Sequence, residues 1–344
     1  MRRGRTQYRG LRIELTPKIT LNEVRMNFLL TGSVAFDYLM KFPGKFREQL
    51  MPECLESISL SFLVESMIKL RGGIAPNIAY TMALLGETPR IMATVGEDFS
   101  EYRQWLESKG INTDAIKIMP GDFTASFFAT TDQESAQLAS FYPGAMSKAS
   151  TQSITEAGSR PDLVIVSPND PAAMQKFAQE SKDLGIPYLY DPSQQVARLD
   201  GVALAKDLTG AKFLFCNEYE FELIKSKTGF TNEHIVERVE YLLVTLGKKG
   251  ARLISRNEDY HIPTVPEDSI IDPTGVGDAF RGGFLAGYAH GWDWVLCGQL
   301  GSLAAVYCLE KNGPQGHSFE RKDFIKRFRE HFDDHGKLDI LLSE

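Results

Sequence analysis

The sequence predicts an α/β fold: a mainly parallel sheet covered by helices on both faces, with a smaller sheet inserted early and projecting from the main body. Three observations carry this expectation. Continuous apolar runs of strand length, such as DLVIVS at 162–167, alternate with helix-length segments. Early in the chain, runs at 55–64, 124–131 and 137–142 instead alternate apolar and polar residues, the pattern of half-exposed strands. At 344 residues with a 43% hydrophobic share, the chain is long enough for one large core and an appendage.

Taken in order, residues 1–25 read as an N-terminal tail. The first twelve hold five arginines and no acid, but lack the serines and apolar face of a transit peptide. One folded domain is expected over 26–336, with lid segments at about 39–70 and 120–145 and a C-terminal tail at 337–344. A strand over 28–35 opens it and ends at Asp37. A helix over 74–85 stops at Gly86, and a strand follows at 90–95. The strand at 162–167 leads into a helix over 171–184 that starts with Pro171, a residue suited to a first turn. Further strands are expected at 187–190, 212–216 and 241–246, and 278–332 reads as mostly helical.

Composition narrows the function. The formal charge is −7, which argues against nucleic acid or an anionic membrane as partner, since either needs a broad basic face. Cys54, Cys216, Cys297 and Cys308 form no C-x-x-C pair and read as reduced core thiols of a cytoplasmic protein. The best candidate for a membrane span, 295–309, is short and carries Gln299. His331 and His335 have the spacing of a zinc helix, but Phe332 stands where H-E-x-x-H needs Glu.

Asp272-Pro273-Thr274-Gly275-Val276-Gly277-Asp278 is the strongest chemical signal. Glycines at a helix start let backbone N–H groups approach an anion, and the helix N-terminus adds partial positive charge. A carboxylate beside an anion site repels the anion, so Asp278 needs another reason to be there. Within reach of an acceptor hydroxyl it would take the proton as that oxygen attacks phosphorus. An isolated G-x-G-D would fit a simple N-cap equally well; Asp272 and Thr274 in the same loop favour chemistry. Neither G-x-x-x-x-G-K-[ST] nor G-x-G-x-x-G fits, since Phe280 occupies the third glycine position.

This loop resembles the carboxyl-terminal signature, D-T-x-G-A-G-D, of the ribokinase-like (PfkB-type) carbohydrate and nucleoside kinases. Gly72-Gly73-Ile74-Ala75-Pro76-Asn77 matches the second signature of that family, G-G-x-x-x-N. Asn217-Glu218-Tyr219-Glu220 fits its N-x-x-E, and Thr245-Leu246-Gly247-Lys248-Lys249-Gly250 its nucleotide-binding turn. The likeness spans roughly 26–332; Pro273 and Val276 depart from the general pattern. Four stretches narrow it: Phe42–Phe46, Ser59–Val64, Ala139–Met146 and Asp191–Gln195 look like the actinobacterial-type adenosine kinases, which also carry D-P-T-G-V-G-D-A-F-R.

The resemblance implies a three-layer sandwich with a β-sheet lid, and transfer of the γ-phosphoryl of MgATP to the 5′-hydroxyl of adenosine in purine salvage. It implies an anion hole from Gly275, Val276 and Gly277, with Asp278 as catalytic base. The substrate would meet Ser33, Asp37, Ser61, Gly73, Asn77, Phe127, Phe141, Gln194 and Gln195. For Phe127 and Phe141 a place in the lid or dimer core is the competing reading. ATP would meet Asn217, Thr245, Gly247, Lys248, Gly250, Asp272 and Thr274. Mg²⁺ would be reached by Glu220 through water, and a monovalent cation such as K⁺ is a further cofactor the family allows. A homodimer joined through the lid is expected. The alternative acceptors are another nucleoside, a sugar, or a sugar phosphate needing Lys41, Lys45, Arg47 or Arg71 near its anion; a non-catalytic nucleoside-binding protein is the rival from another class.

Overall fold

A computed structural model describes residues 26–50 and 59–342. Nine strands form the large sheet: β1 (Phe28–Thr31), β4 (Arg90–Val95), β5 (Ile116–Ile118), β8 (Leu163–Val166), β9 (Tyr188–Tyr190), β10 (Phe213–Asn217), β11 (Tyr241–Thr245), β12 (Ala251–Ile254) and β13 (Asp259–Ile262). Their order is β13-β12-β11-β10-β9-β8-β1-β4-β5. From β11 to β5 every pairing is parallel; β12 and β13 add an antiparallel edge. The smaller sheet comprises β2 (Ala35–Lys41), β3 (Ser66–Gly72), β6 (Ala125–Thr131) and β7 (Gln137–Tyr142), in the order β3-β2-β6-β7.

The continuous apolar runs follow from burial on both sides of the large sheet. Alternate residues serve opposite cores: Leu30, Ile165, Phe213 and Leu243 pack on one face, Leu29, Val164, Leu214 and Leu242 on the other. The helices, in chain order, are α1 (Phe46–Gln49), α2 (Ile74–Leu84), α3 (Ser100–Ser108), α4 (Pro171–Asp183), α5 (Gly201–Leu208), α6 (Glu218–Thr228), α7 (Asn232–Val236), α8 (Val276–Ala289), α9 (Trp294–Leu309) and α10 (Arg321–Arg329). α2, α3, α8 and α9 cover the first face and α4–α7 the second, which is the expected three-layer arrangement. No described helix is long and apolar enough to cross a membrane. Cys216, Cys297 and Cys308 are buried free thiols, and Cys54 lies outside the described residues.

Three expectations need correction. The opening strand is two strands. The chain leaves the large sheet after Thr31, Ser33 N–H donates to Pro168 O (2.7 Å), and extended structure resumes at Ala35 in the lid. Asp37 is therefore the third residue of β2 and not the end of β1; Thr31-Gly32-Ser33, read as part of one strand, is where the chain changes sheet. The alternating strand at 55–64 is also displaced. Residues 55–58 lie outside the described segments, 59–64 are irregular, and the ladder begins only at Ser66. Phe62 instead packs edge-on to Phe42 and Phe46, with ring centroids 5.0 and 4.9 Å apart. Finally, residues 337–342 are no loose tail, because Leu338 and Leu341 are buried in the core formed by α9 and α10.

Candidate active site

The mouth of α8 lies beside the carboxyl ends of the parallel strands, where open α/β sheets bind ligands. Gly275 caps the helix with φ +79°, a left-handed conformation costly for any residue with a Cβ. A Cβ there would also stand 2.7 Å from Pro314 Cα and closer still to Pro314 Cβ. The turn leaves the N–H groups of Gly275, Gly277 and Asp278 without backbone acceptors among the described residues, whereas the N–H of Val276, expected in the hole, donates to Pro273 O at 3.4 Å. Asp272 shapes the loop: its carboxylate accepts from Thr274 N–H and Gly313 N–H, both at 2.9 Å. Burial alone would raise the Asp272 carboxyl, but these hydrogen bonds together hold it below the usual value.

Close helix packing brings the second signature to this mouth. A Cβ at Gly282 would meet Thr81 Cβ at 2.6 Å and Ile78 O at 2.8 Å, so the glycine lets α2 and α8 approach. Asn77 on α2 consequently donates from Nδ2 to Asp278 Oδ2 at 2.8 Å. Asp278 is 6% exposed, and burial pushes its carboxyl up to about 7 against the opposing pull of Arg281 and Asn77. A carboxylate poised near neutrality, hydrogen-bonded and set beside free helix N–H groups, is suited to accept a hydroxyl proton.

A cavity of about 380 Å³ runs from this mouth along the nucleotide-binding turn. Thr245, Gly247, Lys248 and Gly250 line it, as do Val276 and Gly277 of the α8 mouth. Its apolar wall, including Val265, Phe280, Val306 and Leu309, has no local sequence signature. Lys248 pairs with Glu267 at 2.8 Å, and both line the cavity. Asn217, Asp272 and Thr274 do not line it. Asn217 instead forms a reciprocal cap with Glu220 at the start of α6: Asn217 Oδ1 accepts from Glu220 N–H, and Glu220 Oε2 from Asn217 N–H, both at 2.8 Å. Burial raises the Glu220 carboxyl. No group of three metal-ligating side chains occurs among the described residues, and Glu220 is the carboxylate expected to reach a divalent ion through water. That fits Mg²⁺, which keeps most of its waters and takes its other ligands from phosphates.

On the acceptor side, the lid register sets Leu70, Asp37, Phe127 and Phe141 in one row across four strands, hence on one face. Leu70 reaches the loop after α9, where a Cβ on Gly313 would lie 3.2 Å from its Cδ1. Burial, then the charge of Asp272, raises the Asp37 carboxyl to about 6. Ser33 Oγ accepts from Ile74 N–H at 3.2 Å, and Gly73 (φ +95°) caps α2. Gln195 is buried and donates from Nε2 to Asn169 O at 3.0 Å; Gln194 is exposed. Ser61 is exposed in the irregular segment, outside any strand. Of the four cations proposed for a sugar phosphate, Lys45 and Arg47 share Glu134 and Arg71 pairs with Glu101, while Lys41 makes no ion pair among the described residues.

Two sets of residues escaped the sequence reading. Gln315, in the loop after α9, donates from Nε2 to Asn77 Oδ1 (2.8 Å) and Tyr102 Oη (2.6 Å), fixing the amide that holds Asp278. Nothing local in the sequence marks it. Arg281, one turn into α8, forms a buried ion pair with Asp191. Its position within D-A-F-R was visible, its partner was not.

Comparison with known proteins identifies the family. Residues 50–321 match the model of the pfkB family carbohydrate kinase. The nucleoside kinase of Methanocaldococcus jannaschii is 28% identical over 302 residues, which cover 87% of this chain and 96% of that protein. Its crystal structure, described as an archaeal member of the ribokinase family, superposes with a TM-score of 0.79 at 26% identity over 89% of this chain and 99% of that one. The nucleoside kinase of Burkholderia thailandensis in complex with inosine gives a TM-score of 0.78 at 36% identity, covering 89% of this chain and 98% of that one. The same protein in complex with ADP-inosine gives 0.77 at 37% identity, covering 89% and 96%.

Proposed function

The chain belongs to the pfkB family of carbohydrate kinases, and from that premise we propose that it is a cytoplasmic nucleoside kinase, transferring the γ-phosphoryl of MgATP to the 5′-hydroxyl of a purine nucleoside. The observation that carries this reading is the meeting of two halves at one helix mouth. Val276 and Gly277 line the cavity together with the turn at 245–250, and the next residue, Asp278, is hydrogen-bonded to Asn77 of the acceptor side.

In the step, the nucleoside O5′–P bond forms as the bond between phosphorus and the β,γ-bridging oxygen breaks. The hydroxyl proton passes to the Asp278 carboxylate, and ADP leaves. Charge gathers on the phosphoryl oxygens of a loose transition state, so the N–H groups of Gly275, Gly277 and Asp278 contribute by orientation and electrostatics. Mg²⁺ supplies charge neutralisation at the phosphates, and Glu220 would hold its water shell. Asp37 would accept from ribose hydroxyls, and Phe127 and Phe141, in the same row, would cover the base.

Adenosine is the acceptor favoured by the four subgroup stretches. A second reading, inosine, is favoured by the inosine complex of the B. thailandensis relative. Release of ADP with adenosine, inosine, guanosine, cytidine, ribose and fructose 6-phosphate separates them: turnover is expected with a purine nucleoside, and turnover confined to a sugar or sugar phosphate would overturn the proposal.

We also propose that the lid pairs two copies of the chain. Met67, Leu138 and Tyr142 are exposed together on the face of the lid opposite Asp37, and a bare apolar sheet face invites association. Light scattering at micromolar concentration is expected to give twice the 38.5 kDa chain mass. A monomer mass would contradict the pairing.

A further inference from the structure

Arg281 is a charged side chain only 7% exposed, and its guanidinium is divided between two jobs. Nε and Nη2 face the carboxylate of Asp191, which is fully buried at the end of β9. Nη2 donates to Asp191 Oδ1 at 2.9 Å and lies 3.4 Å from Ser193 Oγ. Ser193, itself in a left-handed conformation (φ 38°), donates from Oγ to the same Asp191 oxygen at 2.8 Å. Arg281 Nη2, Asp191 Oδ1 and Ser193 Oγ thus form one hydrogen-bonded group. Nη1 has no acceptor among the described residues, and it lies 2.7 Å from where a Cβ on Gly277 would stand. Side chains on a helix lean toward its N-terminus, which brings the guanidinium back to the residues of the anion hole.

Charge balance says what that free nitrogen is for. Asp191, Glu220 and Asp278 all act electrostatically on Arg281, so three carboxylates surround one guanidinium where a phosphoryl group would arrive. Metal apart, the anion would meet net negative charge unless a cation faced it. Lys248 lies on the nucleotide-binding turn and is paired with Glu267.

We propose that Arg281 is a further catalytic residue: Nη1 donates to an equatorial oxygen of the phosphoryl group in transit, while Asp191 and Ser193 hold the guanidinium in place. The inference rests on the kinase reading. The arginine stays protonated throughout; the bond changes and the proton transfer to Asp278 are those given above.

The test compares Arg281→Met, Arg281→Lys and the double variant Asp191→Asn/Arg281→Met, which keeps the net charge and removes the Asp191 carboxylate that the single variant would leave unpaired, should that variant fail to fold. Arg281→Met is expected to lower kcat by about 10²-fold or more, with both KM values changed less than about threefold. Affinity for ADP with aluminium fluoride and nucleoside should fall by a similar factor while affinity for ADP alone holds. The lysine variant should recover part of kcat, and the double variant should be as slow as Arg281→Met. A folded Arg281→Met or double variant with near wild-type kcat, or a kcat loss without loss of aluminium fluoride affinity, would overturn the inference and leave Arg281 a structural tie. Wild-type protein that phosphorylates no nucleoside would overturn the kinase reading itself, and the inference with it.

Discussion

Asp278→Asn is expected to lower kcat by at least about 10²-fold while affinity for ATP stays near the wild-type value. The amide keeps the shape of the side chain and an oxygen able to accept from Asn77, so the hole and the nucleotide cavity are undisturbed. What is lost is the proton acceptor. The pH dependence carries the sign of this role. The carboxyl is raised to about 7, so the active, ionised form is lost as pH falls through that value, and kcat/KM of the wild type should drop about tenfold per unit below it. The variant should lose that limb. Stability runs the other way. An acid whose folded value lies above its unfolded value binds its proton more tightly when folded, so its favourable contribution is complete below about 4 and lost as pH rises through 7. At pH 8 the ionised Asp278 destabilises the fold, and Asp278→Asn should melt several degrees higher than wild type, with a smaller gain at pH 5. A variant with wild-type turnover would remove Asp278 from the base role.

Gly275→Ala should be comparably damaging by a different route. The residue sits at φ +79°, and its Cβ would collide with Pro314, whose neighbour Gly313 is tied to Asp272. Neither side can yield without turning the N–H groups away from a common point. Loss of one such donor is worth about 2.7–4 kcal/mol, so kcat should fall by about 10²–10³-fold. Steady-state kinetics beside a thermal melt checks this. The predicted result is a large loss of kcat in protein that remains folded at the assay temperature, and a kcat within fivefold of wild type would contradict the assignment of the hole.

The residues that shape the helix mouth are contiguous, from Asp272 to Asp278, and each has a stereochemical reason for its type. This is why the site was legible without coordinates. The cores were legible for a similar reason: two-sided burial of β1, β8, β10 and β11 forces unbroken apolar runs. Legibility ended where partners are distant in sequence. Gln315 reaches Asn77 and Tyr102, and Arg281 reaches Asp191, through contacts only the folded chain creates. Asp37 was identified but placed on the wrong strand, since Phe28 to Asp37 reads the same whether the chain stays in one sheet or crosses to another. Alternation misled at 59–64, where Phe62 serves an aromatic cluster and not a ladder.

The path of the phosphoryl group decides whether the α8 mouth is the anion hole. A crystal structure with ADP, aluminium fluoride, Mg²⁺ and a purine nucleoside measures this directly. The fluoride should lie within hydrogen-bond distance of the N–H groups at Gly275–Asp278, with the 5′-oxygen in line and beside the Asp278 carboxylate. Fluoride bound away from the α8 mouth, with those N–H groups facing only water, would contradict it.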